Sequence, residues 1–466
     1  MGATTQAVFA EMVTTGAADK AISTDKIDDT SITFWRFVHA KYAVFALEPV
    51  DFDASASQGR FGAKSVKYQF PKQGDLVWCT FAKVYVPGIA GLYNEGGATK
   101  VLKGEAAPHW HNAIGQRVLS NVTFAVGGTQ IISFDDTFMF IWEEISGKPG
   151  KQLGESIGKF DDVKTLQGWS KRGHWMYVPL PLPFTECSGN SLPLASLQFH
   201  RVELELSFAS REACVVLPPG APAGTQICVR PDGTKDSDIE SGAVRLDTLN
   251  DTHLQVAIEA MNVYVDDDER NKFINGQFEQ CITEVQTVSA PVSYQGKAVE
   301  GTAPVRVKVD LPFANMVQEY LWVVRTQAKE AANQHYSFGG YNDGGEDGGS
   351  GMTLDPLVSA TIKYGNSQRV QTRDGSYFRL VTPWMCHSNA ERAAKSFIYN
   401  WSYAVDPESE QPSGASNHSR IDGVSMELGL DARIFTAEHP TAEIIVYGRA
   451  KNSLRYKQGV IVRKFT

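Results

Sequence analysis

Along residues 202–208 the chain alternates strictly, with Val202, Leu204, Leu206 and Phe208 set against Glu203, Glu205 and Ser207. This is the period of two that gives an antiparallel strand one oily and one charged face. Upstream, a strand beginning at Tyr177 carries Pro179, Pro181 and Pro183. Proline donates nothing to a ladder, so that strand belongs at a sheet edge or in an irregular pairing. A compact polar turn joins the two. The same succession returns near the C-terminus as an aromatic strand over 396–405, a Pro/Gly/Ser turn region over 406–417, and Val424, Met426, Leu428 and Leu430 alternating in a closing strand. Pro193 and Arg201 stand eight apart, as do Pro412 and Arg420. A shorter echo links residues 119–127 (LSNVTFAVG) to 357–365 (LVSATIKYG). Two matches in the same order predict a duplicated domain, because a short solenoid repeat would recur every ~20–50 residues.

Taken in order, residues 1–30 are polar and poorly periodic and read as an arm that orders only against something else. Residues 32–51 are too aromatic for a solvated linker and must pack on a domain or a neighbour. Strands follow at 61–70 and 76–86 around the turn PKQGD, whose Gly74-Asp75 pair supplies special backbone geometry. After a loop over 88–108, residues 115–133 alternate up to a Gly127-Gly128 turn. Residues 135–146 (DDTFMFIWEEIS) are the best helix, acid-led, with Phe138, Ile141, Trp142 and Ile145 at helical spacing. Residues 209–243 form a loop too long for a plain connection, so a surface projection is expected. Residues 253–265 are the last strand of the first domain, and the charge run DDDER at 266–270 marks the boundary. Strands are expected at 282–293, 305–311, 316–326, 358–364, 377–383, 396–405, 423–430, 442–450 and 453–465, with a second projecting loop over 337–351 (SFGGYNDGGEDGGSG). The pattern predicts an all-β chain of sandwiches or jelly rolls, with helices confined to loops.

The 466 residues allow two large β domains, and 42% apolar content allows each a full core. A net charge of −9 leaves the chain as a whole no electrostatic footprint for direct nucleic-acid binding. The six cysteines are scattered without zinc spacing, and Cys214 with Cys228, in one loop, is the plausible bridge. The N-terminus has no secretory pattern, and no run approaches the ~18 apolar residues of a membrane helix. A soluble protein of a reducing compartment is expected.

Candidate chemistry is thin. His109-Trp110-His111 resembles a metal pair but lacks the carboxylate that a cupin-like site needs, so a loop packing its Trp is the simpler reading. Asp232, Asp236, Asp238 and Glu240 offer hard oxygens to calcium at spacing that departs from an EF-hand, so a solvated loop is preferred. Four glycosylation sequons begin at Asn121, Asn250, Asn400 and Asn417, with Asn250 the most loop-like. No nucleophile triad, phosphate loop or carboxylate pair stands in a recognisable context, so neither an enzyme nor a cofactor nor a metal is expected. A two-domain β-sandwich glycan-binding, lectin-like protein is the alternative from another class.

Four motifs in register carry a family resemblance. They are ITFWRFVHAKYAVFALEPVDF at 32–52 (with Trp35, Phe37, Phe45 and Pro49), PKQGDLVW at 71–78 (Gly74, Asp75), PLPLPF…SLPLASLQFHRVELEL (Pro181, Pro183, Pro193, Arg201) and QPSGASNHSRID at 411–422 (Pro412, Ser413, Gly414, Arg420). Together they resemble the major capsid protein of nucleocytoplasmic large DNA viruses, over nearly the whole chain. The resemblance implies two tandem eight-stranded antiparallel jelly rolls, at 31–265 and 276–466, after an arm at 1–30 and around a linker at 266–275. It further implies a homotrimeric, pseudo-hexagonal capsomer that tiles an icosahedral virion assembled in the host cytoplasm. Neighbouring capsomers and minor capsid or penton proteins would be its partners, with an internal membrane indirectly beneath. The loops at 209–243 and 337–351 would form the outer tower, and some members of the family carry glycans on such loops.

Overall fold

Between Phe45 and Val265, eight antiparallel strands make two four-stranded sheets packed face to face. They are β1 (Phe45–Phe52), β2 (Val66–Gln69), β3 (Leu76–Val86), β4 (Leu119–Val126), β5 (Thr129–Asp135), β6 (His174–Pro179), β7 (Val202–Phe208) and β8 (Gln255–Val265). One sheet runs β1-β8-β3-β6 and the other β2-β7-β4-β5, the interleaved order of a jelly roll. The computed structural model describes residues 16, 17 and 43–465, except 55–58, 94–98, 101–106, 149, 219–225, 231–246, 297–301, 340–353 and 458.

The second half repeats the arrangement. Its strands are β9 (Phe278–Ser293), β10 (Val305–Asp310), β11 (Met316–Thr326), β12 (Leu357–Tyr364), β13 (Ser367–Asp374), β14 (Tyr399–Ser402), β15 (Val424–Leu430) and β16 (Thr441–Lys457), with β17 (Val460–Arg463) pairing back on β16. The sheets run β9-β16-β11-β14 and β10-β15-β12-β13, the first roll's order with every number raised by eight. The sequence echoes fall at matching places. Leu119–Gly127 and Leu357–Gly365 are β4 and β12, each ending on a glycine of positive φ, +60° at Gly127 and +56° at Gly365. The proline-rich and aromatic runs are β6 and β14, both at sheet edges where a missing donor does no harm.

The alternation in β7 does what its period demands. Val202, Leu204, Leu206 and Phe208 are buried between the sheets, each worth about 1.5–3 kcal/mol of transfer free energy. Phe70 meets Phe124 edge-on at 6.4 Å and Phe52 at 5.0 Å in the same core. In the second roll Trp322 stacks on Tyr399 at 5.8 Å and meets Phe378 at 5.4 Å.

Helices sit in the connections. Among them are α1 (Ile114–Val118), α2 (Asp136–Ser146), α3 (Val163–Ser170), α4 (Asp267–Asn275), α5 (Thr382–Cys386) and α6 (Ala390–Lys395). The Asp135 carboxylate caps α2 by accepting from the Phe138 N–H, so the acidic start of that helix does its expected work. Residues 267–275, inside the span read as a linker, form α4, capped by Asp266 with its acids in the first turn.

Several expectations are corrected. Residues 114–118 open as a helical turn rather than a strand. Residues 377–383 are helical, a π-turn over Tyr377–Val381 leading into α5, because they fold over β14 with Phe378 buried beneath. Strand β13 was unforeseen, and its only buried residue is Val370. The loops over 88–108 and 209–243 are not plain coil, since Gly88–Tyr93 and Gln226–Arg230 pair with each other. The strands read at 442–450 and 453–465 divide elsewhere, β16 running unbroken to Lys457. Cys214 and Cys228 are both free thiols.

Candidate functional site

The β11 segment MVQEYLWVVRT reads as one apolar run because both of its faces are covered. Tyr320, Trp322 and Val324 point into the second roll's own core, whereas Leu321 and Val323 join the apolar cluster of the first roll. Its neighbour β16 divides likewise, Ile444 and Val446 to one side, Ile445 and Tyr447 to the other. A sheet that needs only one buried face for its own sandwich therefore presents a second to a partner roll.

What lies on that outer face is α2 of the first roll. Phe138 packs against Tyr447 at 5.5 Å between ring centroids, and the Tyr447 hydroxyl donates to the Asp135 carboxylate at 2.8 and 2.9 Å. Burial first, then the neighbouring Asp136 carboxylate, push the Asp135 carboxyl up to about 6. Arg325 of β11 donates to the Thr137 hydroxyl at 2.5 Å. Phe140 stacks on Tyr336 at 4.3 Å. At the far end of the helix the Asn389 N–H reaches the Ile145 carbonyl, and the Ser396 hydroxyl donates to Glu144.

Beneath α2 the seam encloses a charged group of residues. Arg449 of β16 donates to Glu319 of β11 at 2.8 Å and to the Pro407 carbonyl at 3.0 Å, with Glu186 of the first roll 3.6 Å away. His387 lies between two carboxylates, Nε2 2.9 Å from Glu319 and Nδ1 3.0 Å from Glu408. The Asn400 amide also donates to Glu319 at 2.9 Å. Burial works against the charges of His387 and Glu319, but the pairing outweighs it. The His387 imidazole is raised to about 9, and Glu319 is held down to about 2 by the imidazolium and the Arg449 guanidinium. Both charges are kept inside because each meets its opposite at hydrogen-bond distance.

The motif residues have structural surroundings. Gly74 turns with φ +76°, and Asp75 behind it accepts from the Val265 N–H at 3.0 Å and pairs with Arg270 at 3.1 Å, tying the turn to the end of β8 and to α4. The Pro193 carbonyl accepts from the Ser196 hydroxyl, and the following Ala195 N–H reaches the Asp75 carbonyl. Pro181 and Pro183 follow β6 beside the buried Leu180 and Leu182. The Arg201 carbonyl accepts from the Gly127 N–H at 2.8 Å, immediately before β7. Arg420 is not its structural counterpart, since Ile421, Asp422 and Gly423 intervene before β15, and the Gly423 carbonyl takes the matching Gly365 N–H. Ser413, between Pro412 and Gly414, closes the 406–413 loop by exchanging bonds with the Asp406 backbone. Phe45 and Pro49 lie on the exposed strand β1. Trp35 and Phe37, like the arm apart from residues 16 and 17 and like the acidic run at 232–240, lie outside the described residues.

The sequon asparagines differ in access. Asn250 is exposed, Asn121 and Asn417 are half-buried in strands, and Asn400 is fully enclosed. His111 is buried against Asn112 and the His335 N–H, and burial, then Arg117, bring it down to about 3. Among the described residues no group of three His, Cys, Asp or Glu is placed to hold a metal ion. The sequence reading missed Glu319, His387 and Arg449. Their one visible cue was Glu319, an acid in the middle of an apolar strand.

Two family models divide the chain at α4. Residues 33–266 match the model for the N-terminus of the major capsid protein, and residues 269–462 match that for the large eukaryotic DNA virus major capsid protein. The chain belongs to the major capsid protein family of large eukaryotic DNA viruses. The major capsid protein of Paramecium bursaria Chlorella virus 1 is 24% identical to it over 444 residues, covering 93% of this chain and 90% of the relative. Probable capsid protein 4 of Acanthamoeba polyphaga mimivirus is 24% identical over 478 residues, covering 86% and 89%. Among solved structures, a chain of the quasi-atomic model of the PBCV-1 virus capsid superposes with a TM-score of 0.69 at 20% identity over 93% of this chain and 100% of that one. The Faustovirus major capsid protein gives 0.65 at 11% over 97% and 96%. At such identities the superpositions establish the fold, two jelly rolls in tandem. The chain is thus a virion capsid protein.

Proposed function

We propose that this capsid protein acts as a homotrimer whose six rolls form a pseudo-hexagonal capsomer, and that these capsomers tile an icosahedral shell assembled in the host cytoplasm. The observation that carries the reading is the repetition of one strand order in two rolls locked side by side by α2. Two such rolls per chain make three chains a ring of six similar units, and a repeated head-to-tail contact closes into a ring when its rotation permits. The role is structural, and no chemistry is asked of the chain. The arm at 1–30 is assigned the inner side, toward minor capsid proteins or the next capsomer, and the loops at 209–243 and 337–351 the outer tower. Asn250, on an exposed loop, is the sequon we assign to a surface glycan.

The test is the mass of the purified protein by light scattering after size exclusion. A stable species near three times 51.1 kDa is expected. A folded protein that stays monomeric at high concentration overturns the capsomer.

A further inference from the structure

The seam within the chain has two unfilled counterparts on its surface. In the first roll the connection from β5 to β6 carries α2, which covers the outer face of the β9-β16-β11-β14 sheet, and β5 lies against β9. The second roll has the same connection, from β13 to β14, and it carries the helical run Tyr377–Cys386. Among the described residues that run covers no sheet on its outer side. Leu380, Val381, Trp384 and Met385 are exposed, Trp384 by 76%, and their spacing puts them on one side of the helical turns. The complementary vacancy is on the first roll. The outer face of its β1-β8-β3-β6 sheet, equivalent to the face that α2 covers in the second, exposes Leu47, Trp175 and Tyr177, with Trp175 47% accessible. Large apolar groups gathered on two faces of one chain mark contact surfaces.

Charge follows the same equivalence. The strand β13, counterpart of β5, exposes Arg369 and Arg373, with one acid, Asp374, at its end. At and beside β1, counterpart of β9, the exposed acids are Glu48, Asp51 and Asp53, of which Asp51 is already paired at 3.0 Å with Lys83, whose ammonium lies over the Trp175 and Tyr177 rings, so that Glu48 and Asp53 are the acids left to a neighbour. The basic strand and the acidic one are the pair that would meet if the internal seam were repeated between chains.

We propose that the helical run Tyr377–Cys386 of one copy docks on the outer face of the β1-β8-β3-β6 sheet of the next, with β13 against β1, so that the contact between copies repeats the contact between rolls. The occupant of each face is a second copy of this chain. This assignment rests on the capsomer reading and gives it a surface. Trp384 and Met385 are its apolar anchors, seated on the aromatic plateau of Trp175 and Tyr177, while the arginines and acids set the register.

The experiment is light scattering over a dilution series for the wild type, for Trp384→Ala with Met385→Ser, for Arg369→Glu with Arg373→Glu, and for the last combined with Glu48→Lys and Asp53→Lys. All six positions are exposed, and circular dichroism with thermal unfolding checks that each variant keeps its fold. The apolar double variant should raise the concentration of half-dissociation by about tenfold per residue removed. The arginine variant should weaken the trimer, and the charge swap should restore it. A wild-type trimer with an apolar variant that dissociates no more readily overturns the assignment and leaves the capsomer standing. Failure of the swap to rescue overturns the proposed register. A wild-type monomer removes both.

Discussion

The guanidinium of Arg449 lies 3.5 Å from the centroid of the Trp142 ring, and the two residues belong to different rolls. On its other side the same guanidinium donates to the enclosed Glu319 carboxylate. One cation thus serves a buried ion pair within the second roll and a cation–π contact to the first, so the stability of one roll and its attachment to the other share an atom group.

Removing either partner should therefore be felt in both places. Arg449→Met leaves Glu319 buried with less compensation and should cost about 3–5 kcal/mol. Trp142→Ala should cost about 3 kcal/mol. In the double variant the losses should fall short of additivity by about 1–2 kcal/mol, the worth of a desolvated cation–π contact. Denaturant unfolding of the four proteins measures the coupling, and strict additivity would refute it.

The matched glycines give a prediction in which symmetry fails. Gly127 and Gly365 end equivalent strands with similar positive φ, so alanine at either costs backbone strain of about 1 kcal/mol. A Cβ on Gly127 would also stand 2.9 Å from the His200 ring, whereas one on Gly365 meets open space. Gly127→Ala should be the more destabilising by at least about 1 kcal/mol, the scale of overpacking. Equal unfolding midpoints for the two variants would count against this difference.

That contrast shows where the sequence is a sufficient guide. Strands β7 and β15 were legible because their buried residues fall on every second position, the one pattern that a half-buried strand must show. Strand β13 (SQRVQTRD) was not, because in the isolated chain both its faces meet water and Val370 alone is buried. The run from Tyr377 looked like a strand on composition, and only its place over β14 makes it helical. The pairing of Gly88–Tyr93 with Gln226–Arg230 joins segments far apart in sequence, beyond any local signal. His387, Glu319 and Arg449 come from a loop and two strands, and no spacing announces such a cluster. The echo of Arg201 in Arg420 was real in sequence, but three residues inserted before β15 undo it in space.

The thiols allow a direct check. Burial pushes the Cys214 thiol up to about 12 and raises Cys228 as well, and both are free. Unfolding midpoints should be the same with and without reductant. Native-state alkylation near pH 8 should spare Cys214 while it labels the half-buried Cys187. A reductant-dependent loss of stability would establish the bridge that the structure lacks.

The charged seam should make stability fall at alkaline pH. His387 is enclosed between Glu319 and Glu408, with Arg449 and Asn400 on the far side of Glu319, Ser388 on Glu408, and Trp142 edge-on at 6.5 Å. Burial opposes its charge, yet the two carboxylates raise its pKa from 6.5 to about 9. A group whose pKa is higher folded than unfolded stabilises fully below the unfolded value, and that contribution is lost as pH rises through the folded one. Stability from this residue is therefore complete below pH 6.5 and fades toward pH 9, by on the order of 3 kcal/mol. His387→Gln removes the titration and leaves a neutral side chain between two carboxylates. Its stability should be lower at pH 6 and flatter than the wild type between pH 6.5 and 9. Denaturant midpoints for both proteins from pH 6 to 10 decide the matter, since parallel profiles would mean that His387 does not carry the charge at the seam.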